Sequence, residues 1–368
     1  MDKFKRYIEC FIPVTACTLR CHYCYITQHR LFDTTLPSFE YSPEHCKRAL
    51  SKERLGGICI FNMCGAGETL LPPQLPKYMK AILEEGHYIT LVTNATVSKR
   101  FDEIAAFGPE LCKRLFFKFS FHYLEFKKKN LMDRFFSNIE KMRDAGCSYT
   151  IEITPNDELI PYIDEIKELC MERMGALAHI TIARDERVED VIMLSKMNKK
   201  EFMNTWGVFD SELLKFKMPI FGQKRKEFCY AGDWSFFLNL GTGIMRQCYC
   251  SYHEYNILKN PEKPIPFHAI GNRCSLPHCW NAHSYLNFGV IPEMHIQTNY
   301  AQMRNRIPNN GTREWLTPEF KNMFTQKLSD NNQEYSAFKK WKINMDNDMD
   351  VLFNRIKGKF KSCFSPKK

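Results

Sequence analysis

Six short apolar runs recur through the first half of the chain, at residues 6–14, 57–65, 88–96, 114–121, 148–154 and 178–184. Stretches with helical spacing separate them, at 42–54, 72–86, 98–107, 130–145 and 160–173. Ser42 is placed to cap the first helix, with Pro43 in its first turn, and Gly86 to end the second. The runs are apolar on both sides, as parallel strands covered on both faces must be. Strand–helix repeats with right-handed crossovers close most simply into a barrel. Six units fall short of eight, so the alternation predicts an open, partial (β/α)6 barrel. Its chemistry belongs at the C-terminal strand ends, where the loops gather.

The loops at that rim carry the sequence's distinctive residues. Just past the first run, "ACTLRCHYCYI" holds Cys17, Cys21 and Cys24 in C-x3-C-x2-C spacing. Three thiolates suit three corners of a 4Fe–4S cube and leave the fourth iron open to something other than protein. Read alone, the triplet is also compatible with part of a zinc site or with three unrelated thiols. Past the second run comes Gly65-Ala66-Gly67-Glu68, and past the third Thr93-Asn94-Ala95-Thr96. Ser120 and Arg184 end the fourth and sixth.

The triplet, with Tyr23 before its last cysteine, resembles the radical S-adenosylmethionine (radical SAM) superfamily, and the resemblance extends over about residues 6–190. "CGAGET" is similar to the family's Gly-Gly-Glu segment, which holds the methionine amine of SAM. Small residues let backbone approach a ligand, and a carboxylate can pair with an ammonium. "LVTNAT" resembles the family's TNG segment, with Ala95 in place of glycine. By this resemblance Cys17, Cys21 and Cys24 hold the cluster. Gly65, Ala66, Gly67, Glu68, Asn94, Ser120 and Arg184 then contact SAM. The chemistry implied is reductive cleavage of SAM to a 5′-deoxyadenosyl radical that takes hydrogen from a substrate.

A second group of cysteines follows. Cys229 and Cys248 flank two apolar strands joined at Gly241-Thr242-Gly243, a hairpin that brings its ends together. Cys274 and Cys279 lie beyond it, and Cys250 beside it. This order resembles the auxiliary-cluster module of the SPASM/Twitch branch. One auxiliary 4Fe–4S cluster is implied, on Cys229, Cys248, Cys274 and Cys279, since no further cysteine cassette follows. Cys250 is open to three roles: a substitute ligand, a thiol that returns hydrogen to a substrate radical, or a buried thiol. A four-thiolate zinc staple is the structural alternative for the group.

The expected divisions are a barrel over 1–220, an auxiliary-cluster module over 221–293 and a helical, basic extension over 294–368. With 44% apolar and 26% charged residues the chain is of globular type. No run of apolar residues is long enough to span a membrane, and the N-terminus shows no secretory signal. Sixteen cysteines without such a signal read as reduced thiols and metal ligands, which predicts a cytoplasmic protein. The net charge of +10 is compatible with an anionic small-molecule substrate. The basic residues are mostly scattered, which argues against nucleic acid. The resemblance further implies a reductase, flavodoxin or ferredoxin as electron donor. Only sixteen residues precede Cys17, so no peptide-recognition domain is expected before the barrel. That tilts the substrate towards a sugar, aminocyclitol or nucleotide-like molecule, oxidised or epimerised. The alternatives are a peptide-modifying maturase and, outside enzymes, a zinc-stapled basic protein that binds nucleic acid.

Overall fold

The computed structural model describes residues 3–364, with side chains described as far as Leu352. The six expected strands are present: β1 Phe4–Ile12, β2 Ile58–Gly65, β3 Tyr88–Thr93, β4 Leu115–Ser120, β5 Ser148–Ile153 and the short β6 His179–Ile180. They pair in parallel, in sequence order. The first expected helix is two. Ser42 caps Pro43–Ala49 by accepting from His45 N at 3.2 Å, and Ser51 caps Lys52–Leu55 by accepting from Arg54 N at 3.3 Å. Two caps nine residues apart satisfy orphan donors of two short helices instead of one long one. After β6 come two further helices, Lys199–Trp206 and Glu212–Ile220.

The sheet does not stop at the barrel. The hairpin strand β7, Ser235–Asn239, runs parallel to β1 and extends the sheet beyond it. Then β8, Ile244–Arg246, and β9, Glu254–Asn256, add antiparallel edges. The nine-stranded order is β6-β5-β4-β3-β2-β1-β7-β8-β9. The second cysteine group is therefore carried by an extension of the barrel's own sheet.

Alternation along each strand separates two cores. Ile8, Cys59, Phe61, Ile89, Phe117 and Ile151 point outward and pack under the helices. Tyr7, Ile60, Tyr88 and Phe116 point inward, where the C-terminal third of the chain fills the barrel. Phe288 packs on Phe4 and Tyr7 at 5.3 and 5.1 Å between ring centroids, and Phe320 on Tyr88 and Phe116 at 5.5 and 5.6 Å. Each such phenylalanine contributes roughly 1.5–3 kcal/mol by leaving water. Higher on the inward face, the expectation of strands apolar on both sides is corrected. Glu9, Asn62, Thr90, Lys118 and Thr150 are buried there. The plug fills only the lower barrel, and above it Glu9, Asn62, Thr90 and Lys118 are joined by hydrogen bonds centred on Asn62.

After the plug, the helix Ala337–Phe364 packs beside the second cysteine group. The side chain of Cys363 lies outside the described residues. Among the described residues no helix is long and apolar enough to cross a membrane.

Candidate active site

Cys17, Cys21 and Cys24 lie in the loop after β1 and line one hollow of about 90 Å³. Gly65, Ala66, Gly67, Glu68, Asn94 and Ser120 line the same hollow. Local bonds fix the cysteine loop. Leu19 N donates to Cys17 Sγ at 3.5 Å, and Asn94 Nδ2 donates to Thr18 Oγ1 at 3.0 Å, beside Cys17 Sγ at 3.6 Å. The Tyr23 hydroxyl pairs with His122 Nδ1 at 2.6 Å, and burial pushes that imidazole down to about 4. Arg20 N donates to Glu125 Oε2 at 3.0 Å, so Glu125 pins the loop. Burial pushes the Cys17 and Cys21 thiols up, to about 11 and 12, so a metal taking them as thiolates must displace their protons.

Two residues expected to contact SAM, Glu68 and Arg184, have partners within the protein. Glu68 is 2% exposed and its carboxylate is already engaged. It accepts from Thr93 Oγ1 at 2.5 Å, Leu70 N at 3.0 Å and Asn94 N at 2.8 Å. Three donors inside the protein leave it a brace between the loops after β2 and β3. Glu68 also lines the hollow, beside the cysteine triplet. Arg184, in turn, does not line the hollow. It stacks over Trp280 at 4.2 Å, pairs with Glu186 at 2.9 Å and lines a separate small pocket with Lys217 and His278.

The glycines are demanded by the cysteine loop itself. Gly67 N donates to Val14 O at 2.6 Å and Glu68 N to Ala16 O at 2.9 Å. A Cβ on Gly67 would stand 2.0 Å from Ala16 O. The two loops are laced together as a pair of backbone strands would be. Ala95 takes a left-handed φ of 57°, which explains why the family pattern carries glycine at that point.

The second group gathers as expected from the hairpin. Cys229 is fixed by paired bonds to Gly271, N to O at 3.0 Å in both directions. It lies within electrostatic reach of Cys248, Cys279 and Cys250. Cys250 is in hydrogen-bond contact with Cys274, and Ser275 Oγ donates to Cys250 Sγ at 3.1 Å. Those donors hold the Cys250 thiol below its usual range and leave that of Cys274 raised. All five cysteines thus lie together. Among the described residues neither group closes into a metal-ligand geometry. The donor sets themselves, three and five thiols with little else, suit soft iron–sulfur or zinc chemistry.

Between the two groups lies a cavity of about 360 Å³. It shares Gly65 with the first hollow and reaches Cys248 of the second group. Cys64 and Tyr25 line it; Cys250 is not among its lining residues. Sequence reasoning missed the inward pair Glu9 and Asn62, which also line it. A carboxylate in the middle of an otherwise apolar strand was the available signal. Other polar candidates are structural: Asp233 pairs with Arg6 at 2.9 Å, Asp185 with Arg187 at 2.7 Å, and Tyr252 donates to Arg273 O.

The Radical SAM superfamily profile matches residues 11–170, the stretch that contains the triplet, the Gly65–Glu68 loop, Asn94 and Ser120. The barrel belongs to that superfamily. The match over this stretch implies a 4Fe–4S cluster and SAM as the cofactors of the barrel. Among solved structures, Streptococcus suis SuiB bound to S-adenosylmethionine matches with a TM-score of 0.49 at 13% identity, over 70% of this chain and 64% of that one. Native anSMEcpe with bound AdoMet and Kp18Cys peptide gives 0.49 at 15%, over 70% and 80%. BtrN in complex with AdoMet and 2-DOIA gives 0.35 at 13%, over 71% and 84%. The chain thus spans less than two thirds of SuiB. Likeness this distant says nothing of substrate or reaction. No curated protein matches the sequence.

Proposed function

We propose that the protein abstracts hydrogen from a small polar substrate held in the 360 Å³ cavity, and that the second cysteine group binds an auxiliary 4Fe–4S cluster which accepts an electron during oxidation. The observation that carries this is the cavity's position. It touches the SAM-side loop at Gly65 and the second group at Cys248. Its size suits a small molecule. The cluster and SAM, when bound, supply the radical. The chain's residues do the rest. Cys17, Cys21 and Cys24 would hold the first cluster, and the backbone of Gly65–Gly67, held close by the cysteine loop, faces the SAM side. Cys229, Cys248, Cys274 and Cys279 would hold the second. Oxidation is favoured over epimerisation because Cys250 is turned to Cys274 and Ser275 rather than to the cavity.

The test is the iron and sulfide content of anaerobically reconstituted protein, beside a variant with Cys17, Cys21 and Cys24 all changed to Ala. Two cubes predict about eight irons in the parent and about four in the variant. The parent forms 5′-deoxyadenosine from SAM on reduction, and the variant does not. Four irons in the parent and none in the variant would leave the second group as a zinc staple. Zinc without iron would sink the enzyme reading.

A further inference from the structure

The cavity's wall gives it a chemical preference. Glu9 on β1 faces Asn62 across the β1–β2 register, and Asn62 Nδ2 donates to Glu9 Oε2 at 2.6 Å. Asn62 Oδ1 is saturated from behind, by Thr90 Oγ1 at 2.7 Å and Lys118 Nζ at 2.7 Å. The array therefore holds Asn62 in one orientation and presents Glu9 as an acceptor. Glu9 is 7% exposed and lines the cavity. Its other oxygen has no protein partner among the described residues. That oxygen is open to the cavity, where a donor on a bound molecule can reach it.

The rest of the wall does not supply one. Arg246 is the one cationic residue in its lining, and its Nε pairs with Glu254. Lys118 does not line it and is spent on Asn62. The rest of the lining is aromatic residues, cysteines and Gly65; the rings are Phe11, Tyr25, Phe237 and Tyr249, with Phe11 and Phe237 stacked at 5.7 Å. A desolvated carboxylate beside ring faces is the surrounding that an alkylammonium group prefers, since the rings add cation–π attraction to the ion pair. An anionic group would meet the Glu9 carboxylate at like charge.

We propose that Glu9 is the anchor for a primary ammonium group on a small aliphatic substrate, bound between the SAM side and the second cysteine group. This rests on the function proposed above and adds the substrate class. Burial pushes the Glu9 carboxyl up while Lys118 and Asn62 pull it back. The net charge of +10 is no guide to the substrate here, because the local lining faces it and the distant surface does not.

The probe is trans-2-aminocyclohexanol, compared with cyclohexanol and cyclohexanecarboxylate, by calorimetry on the reconstituted, SAM-loaded protein. Glu9→Gln keeps the shape and the bond from Asn62 while removing the charge. The expected result is that the amine binds the parent at least tenfold tighter than E9Q, and tighter than either other probe. Equal affinity for parent and E9Q overturns the assignment, as does tighter binding of the carboxylate or of cyclohexanol. Tighter binding of Nα-acetyl-L-lysinamide than of the cyclic amine would overturn the small-molecule class. Formation of 5′-deoxyadenosine on reduction is measured in the same samples. If E9Q retains it and the amine effect is absent, only the Glu9 proposal fails. If the parent lacks it, the proposed function fails.

Discussion

At the scale of single residues, the cofactor end of the molecule is governed by backbone proximity. Gly67 is set against Ala16 so closely that no side chain fits, and the obstacle is a carbonyl oxygen, which cannot swing aside. Gly67→Ala is expected to cost about 3 kcal/mol, at the upper end of overpacking effects. It should also reduce iron bound by the first group while sparing the second. Chemical denaturation and iron analysis of the variant check both, and full iron with unchanged stability would contradict the lacing of the two loops. Glu68 illustrates the limit of reading such residues from sequence. Its presence after a strand marks the loop, but a carboxylate that braces and a carboxylate that binds look identical in a linear string. The three donors that occupy it come from positions 70, 93 and 94, and 93 and 94 are brought near by β2–β3 pairing alone.

At the scale of elements, the six strands were legible because parallel, doubly covered strands read as continuous apolar runs. The hairpin was legible from its glycine turn. The pairing of β7 with β1 was not, because it joins residues more than two hundred apart and leaves no local trace. The final helix, Ala337–Phe364, could be seen as a helix but not assigned a place. It braces the loop that delivers Cys274. Asn347 Nδ2 donates to Ala269 O at 3.1 Å and Ile270 O at 3.0 Å, and Asn272 N donates to Asn344 Oδ1 at 2.9 Å. Asn347 is fully buried. Asn347→Leu removes one of two donors from each of these carbonyls, leaving Gln247 Nε2 on Ala269 O and Arg273 N on Ile270 O, both at 3.3 Å, and should cost about 1–2 kcal/mol. The iron lost should come from the second cysteine group, with SAM cleavage at the first retained. Equal loss from both groups would show that the helix supports the whole fold and not that loop.

At the scale of the whole molecule, the barrel is a container plugged from below by its own C-terminal third. Phe324 packs on Phe116, Phe288 and Tyr300, at 5.0, 6.0 and 4.7 Å, so it touches both wall and plug. Phe324→Ala should cost about 3–5 kcal/mol by leaving a cavity between them, read as a lower melting temperature. Above the plug the interior carries more cations than anions. Glu152 is paired with the buried Arg304, and Lys217 has Thr181 Oγ1 at 2.6 Å as its neutral partner. Burial drives the Lys217 ammonium down to about 7, against the attraction of Glu152 and helped by Arg184, Arg304 and Lys118. Its ordinary value is 10.5, so between pH 7 and 10.5 the unfolded chain holds a proton that the folded chain does not. Stability then rises with pH across that window, and the cost of the buried charge is fully present below it. Lys217→Met removes the charge. Its stability relative to the parent should be highest below pH 7 and should decline as pH approaches 10. Thermal unfolding of parent and variant in matched buffers reads this directly. A difference that stays constant with pH would mean that Lys217 keeps its proton in the folded barrel, which would require an anion beside it.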